Sequence, residues 1–444
     1  MVLGLMIALG GCGPAKNSPQ GGLGGATGGL GGVTGAACPV SNATGILSVH
    51  ITGTPSGAGD VAIAGGVTLT TSTDLTLAAG PQTLTAYLVA AGPDMVRVAY
   101  TPEVDVPAPC VRAGQTTPVN VRYTRIATSG ALWVGASNTL TGSTLLSYEP
   151  AVLGSSGSSS ATVAAATHGS DGFTFDVFGN AWVVGGTSAD PPVARYPAAS
   201  LATDGIKTAD IVINSPSFAG GSPGPYALAF DADGNLWVSV VFAGKVVKIA
   251  AAQLTPGTHA PAAAVEEGGI DGPAGIAFDL AGNLWVAASG ASTIMRINAA
   301  HLTTSGTGAD LTITALTPTP VVGTLSAPLG LAFDATGNLW VNYDGRMARL
   351  TPADLAGTGT KTVTPSVQII VDVLSLPYGL AFDEFGGLWF ADRMGRFACL
   401  GASQLTASGS QAPQIVINSP DLGYAGWLAI YPAPAFSPLA HALP

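Results

Sequence analysis

Two stretches decide the reading of this chain. "GIAFDLAGNLWVAAS" runs from Gly275 to Ser289, and "GLAFDATGNLWVNYD" runs from Gly330 to Asp344. The second nearly repeats the first. The same Phe-Asp pair stands at Phe175-Asp176, Phe230-Asp231 and Phe382-Asp383, and a Trp follows each Phe by seven residues: Trp182, Trp237, Trp285, Trp340 and Trp389. Successive Trp residues are 55, 48, 55 and 49 apart. Fixed internal spacing within a slightly variable period near fifty marks stacked supersecondary units.

Each unit reads as four strands. In "PAGIAFDLAGNLWVAA", Ile276 and Phe278 share one face of a first strand and the small Gly275 and Ala277 share the other, as suits a strand crowded around an axis. Asp279 to Asn283 reads as a tight hairpin in which the Asp accepts backbone N–H bonds and Gly282 and Asn283 tolerate positive φ. Leu284-Trp285-Val286 is apolar on both faces, so the second strand is covered on both, and Trp285 fills a gap that widens away from the axis. A third strand follows in "STIMRI". After it come a short helical turn ending in Leu ("NAAHL", "AAAQL", "TPADL", "GASQL") and an outer strand such as "LTITA" or "SVQIIV". Four antiparallel strands covered on both faces form a propeller blade.

The ends supply a further blade. "GALWVGAS" places Trp133 49 residues before Trp182, with a second strand but no first. In "YAGWLAIYP", Leu428, Ala429 and Ile430 take the places of Leu380, Ala381 and Phe382, with nothing after them. The expectation is an all-β chain with a six-bladed β-propeller over 125–432 whose termini close one blade and remove a free sheet edge. A C-terminal tail covers 433–444.

The pattern P-x-G-[IL]-A-F-D-x-x-G-N-L-W-V resembles the NHL repeat and is similar to the streptogramin-lyase and gluconolactonase-like propellers. The resemblance covers about 300 residues and speaks to the fold; that fold hosts binders, scaffolds and enzymes alike. Gly387 stands where other blades have Asn, and Ala181 where others have Leu. Both departures concern turns rather than chemistry.

Residues 37–124 alternate in period two. In "GILSVHITG", Leu47, Val49 and Ile51 share one face, with Ser48, His50 and Thr52 on the other. Similar runs separated by turn signals predict a small antiparallel β-sandwich. It resembles the immunoglobulin-like or carboxypeptidase-regulatory-like modules of bacterial surface proteins, in which role it is a spacer.

Residues 1–12 open with the apolar run of a secretory signal, too short to span a bilayer. Leu9-Gly10-Gly11-Cys12 resembles a bacterial lipobox, which implies lipidation at Cys12 and, with Gly13 following, an outer-membrane or cell-surface location. No Lys or Arg precedes the run, a departure from the usual signal. Residues 13–36, "GPAKNSPQGGLGGATGGLGGVTGA", read as a Gly-rich tether. Export favours oxidation, so Cys38 and Cys110 are expected to pair, with Cys399 left as a buried free thiol.

Charged residues are 9% of the chain and the net charge is −11, which argues against a nucleic-acid partner. The five repeated Asp residues invite a metal-array reading, but each occupies one constant hairpin position and is read as a turn cap. His50, His168, His259, His301 and His441 show no metal spacing, and no Gly-x-Ser-x-Gly elbow or phosphate-binding loop is present. The lactonase-like resemblance implies carboxylates and an Asn holding a divalent metal in the channel. The residues starting the first strands here are Tyr226, Ala274, Leu329, Tyr378 and Ala425, none a hard-cation ligand. The His and Glu of the lyases have no matching positions either. No cofactor is expected, and binding is favoured over catalysis. The alternative is a hydrolase or lyase with a non-standard site at the ring mouth.

Loops leading into the first strands and loops joining second to third strands share one face of the ring. There Tyr226, Asn342, Tyr343, Asp344, Arg346, Tyr378, Asp392 and Arg393 are expected to gather as a polar, aromatic cluster suited to a protein or glycan ligand. The competing reading makes Asp344–Arg346 and Asp392–Arg393 ordinary surface ion pairs. The whole is expected to be a lipid-anchored envelope protein that touches the membrane only through that anchor.

Overall fold

A computed structural model describes residues 38–54, 62–64, 67–86, 89–91, 98–125, 130–138, 142–170, 172–185, 191–219, 224–316, 327–343, 345–371, 377–392 and 394–434. The expected signal, lipobox Cys12 and tether lie outside these residues.

The N-terminal module has two sheets. Ser41–Thr52 lies between Thr73–Pro81 and Thr116–Arg125 in a six-stranded sheet, and Ala62–Ala64 lies between Val67–Leu69 and Leu84–Ala86 in a three-stranded one. Leu47, Val49 and Ile51 form the core with Leu69, Leu84, Val119, Val121 and others, so the alternation buries the face it marked. His50 is exposed. The sheet is not purely antiparallel as expected. Ser41–Thr52 runs parallel to Thr116–Arg125, with Ile46 opposite Thr116 and Thr52 opposite Arg122. The long intervening chain supplies the crossover that a parallel pair requires. A disulfide joins Cys38 to Cys110, Cα atoms 5.6 Å apart, across a sequence separation of 72. Cys399 is fully buried and disulfide-bonded. This corrects the expected free thiol, and it follows the same oxidising logic that pairs the other two.

The rest is a β-propeller, with six five-stranded sheets among the described residues. In the Trp285 blade, Pro273–Phe278, Leu284–Ala288, Thr293–Ile297 and Leu311–Leu316 run antiparallel. The Trp133 blade takes its first strand from the far end of the chain. Tyr424–Tyr431 pairs with Ala131–Asn138, setting Leu132 opposite Ile430 and Val134 opposite Leu428.

Every blade carries a fifth strand that the sequence did not reveal. The chain leaving the third strand makes a 3-10 turn, such as Ala299–His301. It then pairs in parallel with the outer strand of the preceding blade before forming its own. Gly306–Thr307 joins Val265–Gly268 in this way, and Gly157–Ser158 joins Ile415–Asn418 across the seam between the last and first blades. The ring is therefore stitched at its circumference as well as closed within one sheet, and outer edges are partly covered.

Packing between blades explains the repeated residues. Each Trp meets the Phe of the next blade, with ring centroids 5.4 Å apart for Trp133–Phe175, 5.7 Å for Trp182–Phe230 and 6.3 Å for Trp285–Phe333. At the closing seam Trp389 instead packs among Leu428, Ile430 and its own blade's Phe397. Toward the axis the first strands crowd. A Cβ on Gly275 would run into the carbonyl oxygen of Leu329.

Candidate functional site

The repeated Asp residues are spoken for by the fold. Asp279 Oδ1 accepts from the backbone N–H groups of Ala281 and Asn283, each at 2.9 Å. Its Oδ2 accepts from Asn283 Nδ2 and from Trp285 Nε1, again at 2.9 Å. Asp176, Asp231 and Asp334 repeat the arrangement. Asp383 keeps the Trp389 bond at 2.9 Å and accepts from the Gly387 backbone N–H, although Gly387 offers no side-chain amide. At Asp334, burial pushes the carboxyl up, but bonds from Asn338, Thr336 and Trp340 outweigh it and hold the group below the usual carboxylate range. The Asp thus caps its turn and anchors the inter-blade Trp. Over the indole ring lies a cation, Arg195, Lys248, Arg296 or Arg349, 5.5–5.9 Å from the ring centre. In the Trp389 blade the register position of that cation belongs to Cys399.

Among the described residues no group of three or more His, Cys, Asp or Glu is placed to hold a metal. His301 pairs with Asp310 at 2.9 Å, and His168 lies 2.6 Å from the Tyr196 hydroxyl.

The cluster expected at the strand-start face divides three ways. Asn342, Tyr343 and Asp392 are buried, at 0%, 3% and 0% exposure. Asn342 Oδ1 accepts from the Gly330 N–H, and its Nδ2 donates 2.6 Å to the Tyr378 carbonyl of the next blade. Asp392 accepts from the Met394 N–H at 2.8 Å and from Arg396 at 2.9 Å. Asn342 ties one blade to the next, Asp392 braces the turn of its own blade, and all three side chains are withdrawn from the exposed surface, a correction to the expected cluster. Asp392 makes an ion pair with Arg396. Asp344 and Arg393 lie outside the described residues. Tyr226, Arg346 and Tyr378 remain half-buried, so they alone of the described set reach the surface. Met394 and Tyr424, 68% and 50% exposed, add to this face. Their loops adjoin, since Gly395 abuts the Leu422 carbonyl.

Sequence reasoning had a signal for the buried Asn. Ser239 stands at the same place, two after its Trp; it accepts from the Ala227 N–H at 2.9 Å and donates to the Ala274 carbonyl at 2.8 Å. A polar residue at that position ties one first strand to the next.

Sequence reasoning missed Trp427. It occupies the place of Gly379 in the closing strand and lies at the axis, edge-on to Tyr226 with centroids 5.9 Å apart. Beyond it the axis holds a cavity of about 220 Å3. Its walls are the last halves of the six first strands, together with Val177, Ala433 and Pro434 past their ends. The cavity therefore opens on the hairpin face, opposite the strand starts, and Trp427 forms its floor. One small side chain per blade lines it: Thr174, Ala229, Ala277, Ala332, Ala381 and Ala429. No side chain in the lining is ionisable.

No protein-family model and no curated protein matches this chain. Solved structures similar to it include virginiamycin B lyase from Staphylococcus aureus, at 15% identity and TM-score 0.36 over 53% of this chain and 68% of that one. A nidogen/laminin complex aligns at 14% identity and TM-score 0.45, over 70% and 99%. A protein of unknown function from Bacteroides caccae aligns at 13% and 0.42, over 68% and 99%. No helix of the described residues is long and apolar enough to cross a membrane.

Proposed function

We propose that this chain is an exported binding module, in which a tether and a β-sandwich carry a six-bladed propeller that recognises a protein or glycan partner. The observation carrying the reading is the composition of the strand-start face. Half-buried Tyr226, Tyr378 and Arg346 stand there beside exposed Met394 and Tyr424 on a chain otherwise poor in charge. Aromatic, Met and Arg side chains are the types enriched at recognition surfaces. An Arg fork suits carboxylate or sugar oxygens, and a Tyr ring offers a stacking face.

The test immobilises the full chain and measures capture from envelope extract and from a panel of immobilised oligosaccharides. Tyr378→Ala and Arg346→Ala should each weaken capture by on the order of ten-fold, the scale of a moderate hot spot, with the melting temperature held. Unchanged capture by both folded variants would place recognition elsewhere.

A further inference from the structure

We infer that the axial cavity on the hairpin face is a second recognition site, which takes an uncharged apolar side chain presented by a partner polypeptide. It goes beyond the strand-start reading and uses none of its residues.

Three observations converge on it. The first is that the cavity is blind. Five of the first strands carry Gly or Ala at the position that Trp427 occupies in the closing strand: Gly172, Ala227, Gly275, Gly330 and Gly379. One large residue in a ring of small ones blocks the axis at one end and leaves a pocket at the other. The second is chemistry. The lining combines the methyl groups of five Ala residues and the hydroxyl and methyl of Thr174 with larger apolar side chains and the edges of the six first strands, each of which ends its sheet. No charge is present to compensate a charged ligand, and burying one uncompensated is costly. Strand edges offer N–H and C=O groups to a neutral group that can hydrogen-bond. A volume of about 220 Å3 exceeds the roughly 150 Å3 known to admit a benzene ring, so an indole-sized group fits.

The third observation is the rim. Leu280, 57% exposed, follows Phe278 of the cavity wall by two residues, and Phe385, 41% exposed, follows Phe382 by three. Both sit on hairpins between first and second strands, on the face where the cavity opens. An apolar anchor in a pocket, surrounded by further apolar contact, is how a polypeptide partner gains most of its affinity. A free small ligand would reach the pocket and leave the rim uncovered. The occupant is therefore a loop whose anchor enters the cavity while its flanks cover Leu280 and Phe385.

The experiment titrates the full chain with three blocked tripeptides, Ac-Gly-Trp-Gly-NH2, Ac-Gly-Glu-Gly-NH2 and Ac-Gly-Lys-Gly-NH2, and with free indole, read by saturation-transfer NMR. The Trp peptide should bind at least ten-fold more tightly than either charged peptide and more tightly than indole. Ala277→Phe, which fills the cavity, should abolish binding with the melting temperature held. The exposed-rim variant Leu280→Ser/Phe385→Ser, which burdens no core, should weaken the Trp peptide several-fold and leave indole unchanged. No binding of the Trp peptide, equal binding of the charged peptides, or full binding by folded Ala277→Phe would each overturn the site. Indole binding at least as tightly as the Trp peptide would overturn the polypeptide occupant. Capture at the strand-start face has its own readout, so either reading can fail alone.

Discussion

Trp285 shows how much one repeated residue does. Its ring packs on Phe333 of the next blade, its Nε1–H holds Asp279, and Arg296 lies 5.6 Å from the ring centre. Trp285→Ala removes all three and leaves a cavity in a fully packed seam, so denaturant titration should show a loss of about 3–5 kcal/mol. Glu267 is the opposite case. It is 2% exposed, and its Oε1 has no hydrogen-bond partner. Burial raises its pKa above the ordinary 4.5, with nearby Asp310 adding to the rise and His301 opposing it. A carboxyl whose folded pKa lies above its unfolded value favours folding most when protonated. Its contribution is complete below the unfolded pKa and is lost as pH rises through the folded one. Glu267→Gln should therefore raise the melting temperature at pH 8 and change it little at pH 4. A gain independent of pH would show that the charge is not the cause.

At the scale of elements, the hairpins and second strands were legible because their chemistry is local. Asp279, Gly282 and Trp285 stand at fixed offsets, and period-two alternation located the buried face of Ser41–Thr52. The fifth strands were not legible. Gly306–Thr307 is two residues long, too short to alternate, and its pairing is with another blade. The parallel partnership of Ser41–Thr52 with Thr116–Arg125 was hidden for the same reason, since register between distant strands leaves no mark in either one alone. The candidate site suffered from a related blindness. Asn342 and Asp392 are polar and near loops, which reads as surface, yet Asn342 answers the Tyr378 carbonyl that only the ring brings near, and Asp392 is buried against Arg396 of its own blade. Trp427 was visible as a residue but not as a floor. Among covalent links, the Cys38–Cys110 bridge closes a long loop in the N-terminal module. Cys38→Ser/Cys110→Ser should cost that module about 4 kcal/mol on the chain-entropy account, measurable by denaturant titration. A loss under 1 kcal/mol would mean that the unfolded chain was already compact.

For the whole molecule, both recognition faces depend on one fact. The first strand of the first blade comes from the other end of the chain. Without Tyr424–Tyr431 the Trp133 blade loses its inner strand, Trp389 loses Leu428 and Ile430, and the axis loses Trp427 and one wall. Neither a ring mouth nor a blind cavity then exists. The most direct measurement is differential scanning calorimetry of the parent beside a chain truncated after Asn418. The account predicts that truncation exposes a sheet edge on one side of the gap and an unpacked Trp389 on the other. The propeller's cooperative transition should then broaden and fall sharply in temperature and enthalpy. An unchanged transition in the truncated chain would contradict the closed ring, and with it both binding proposals.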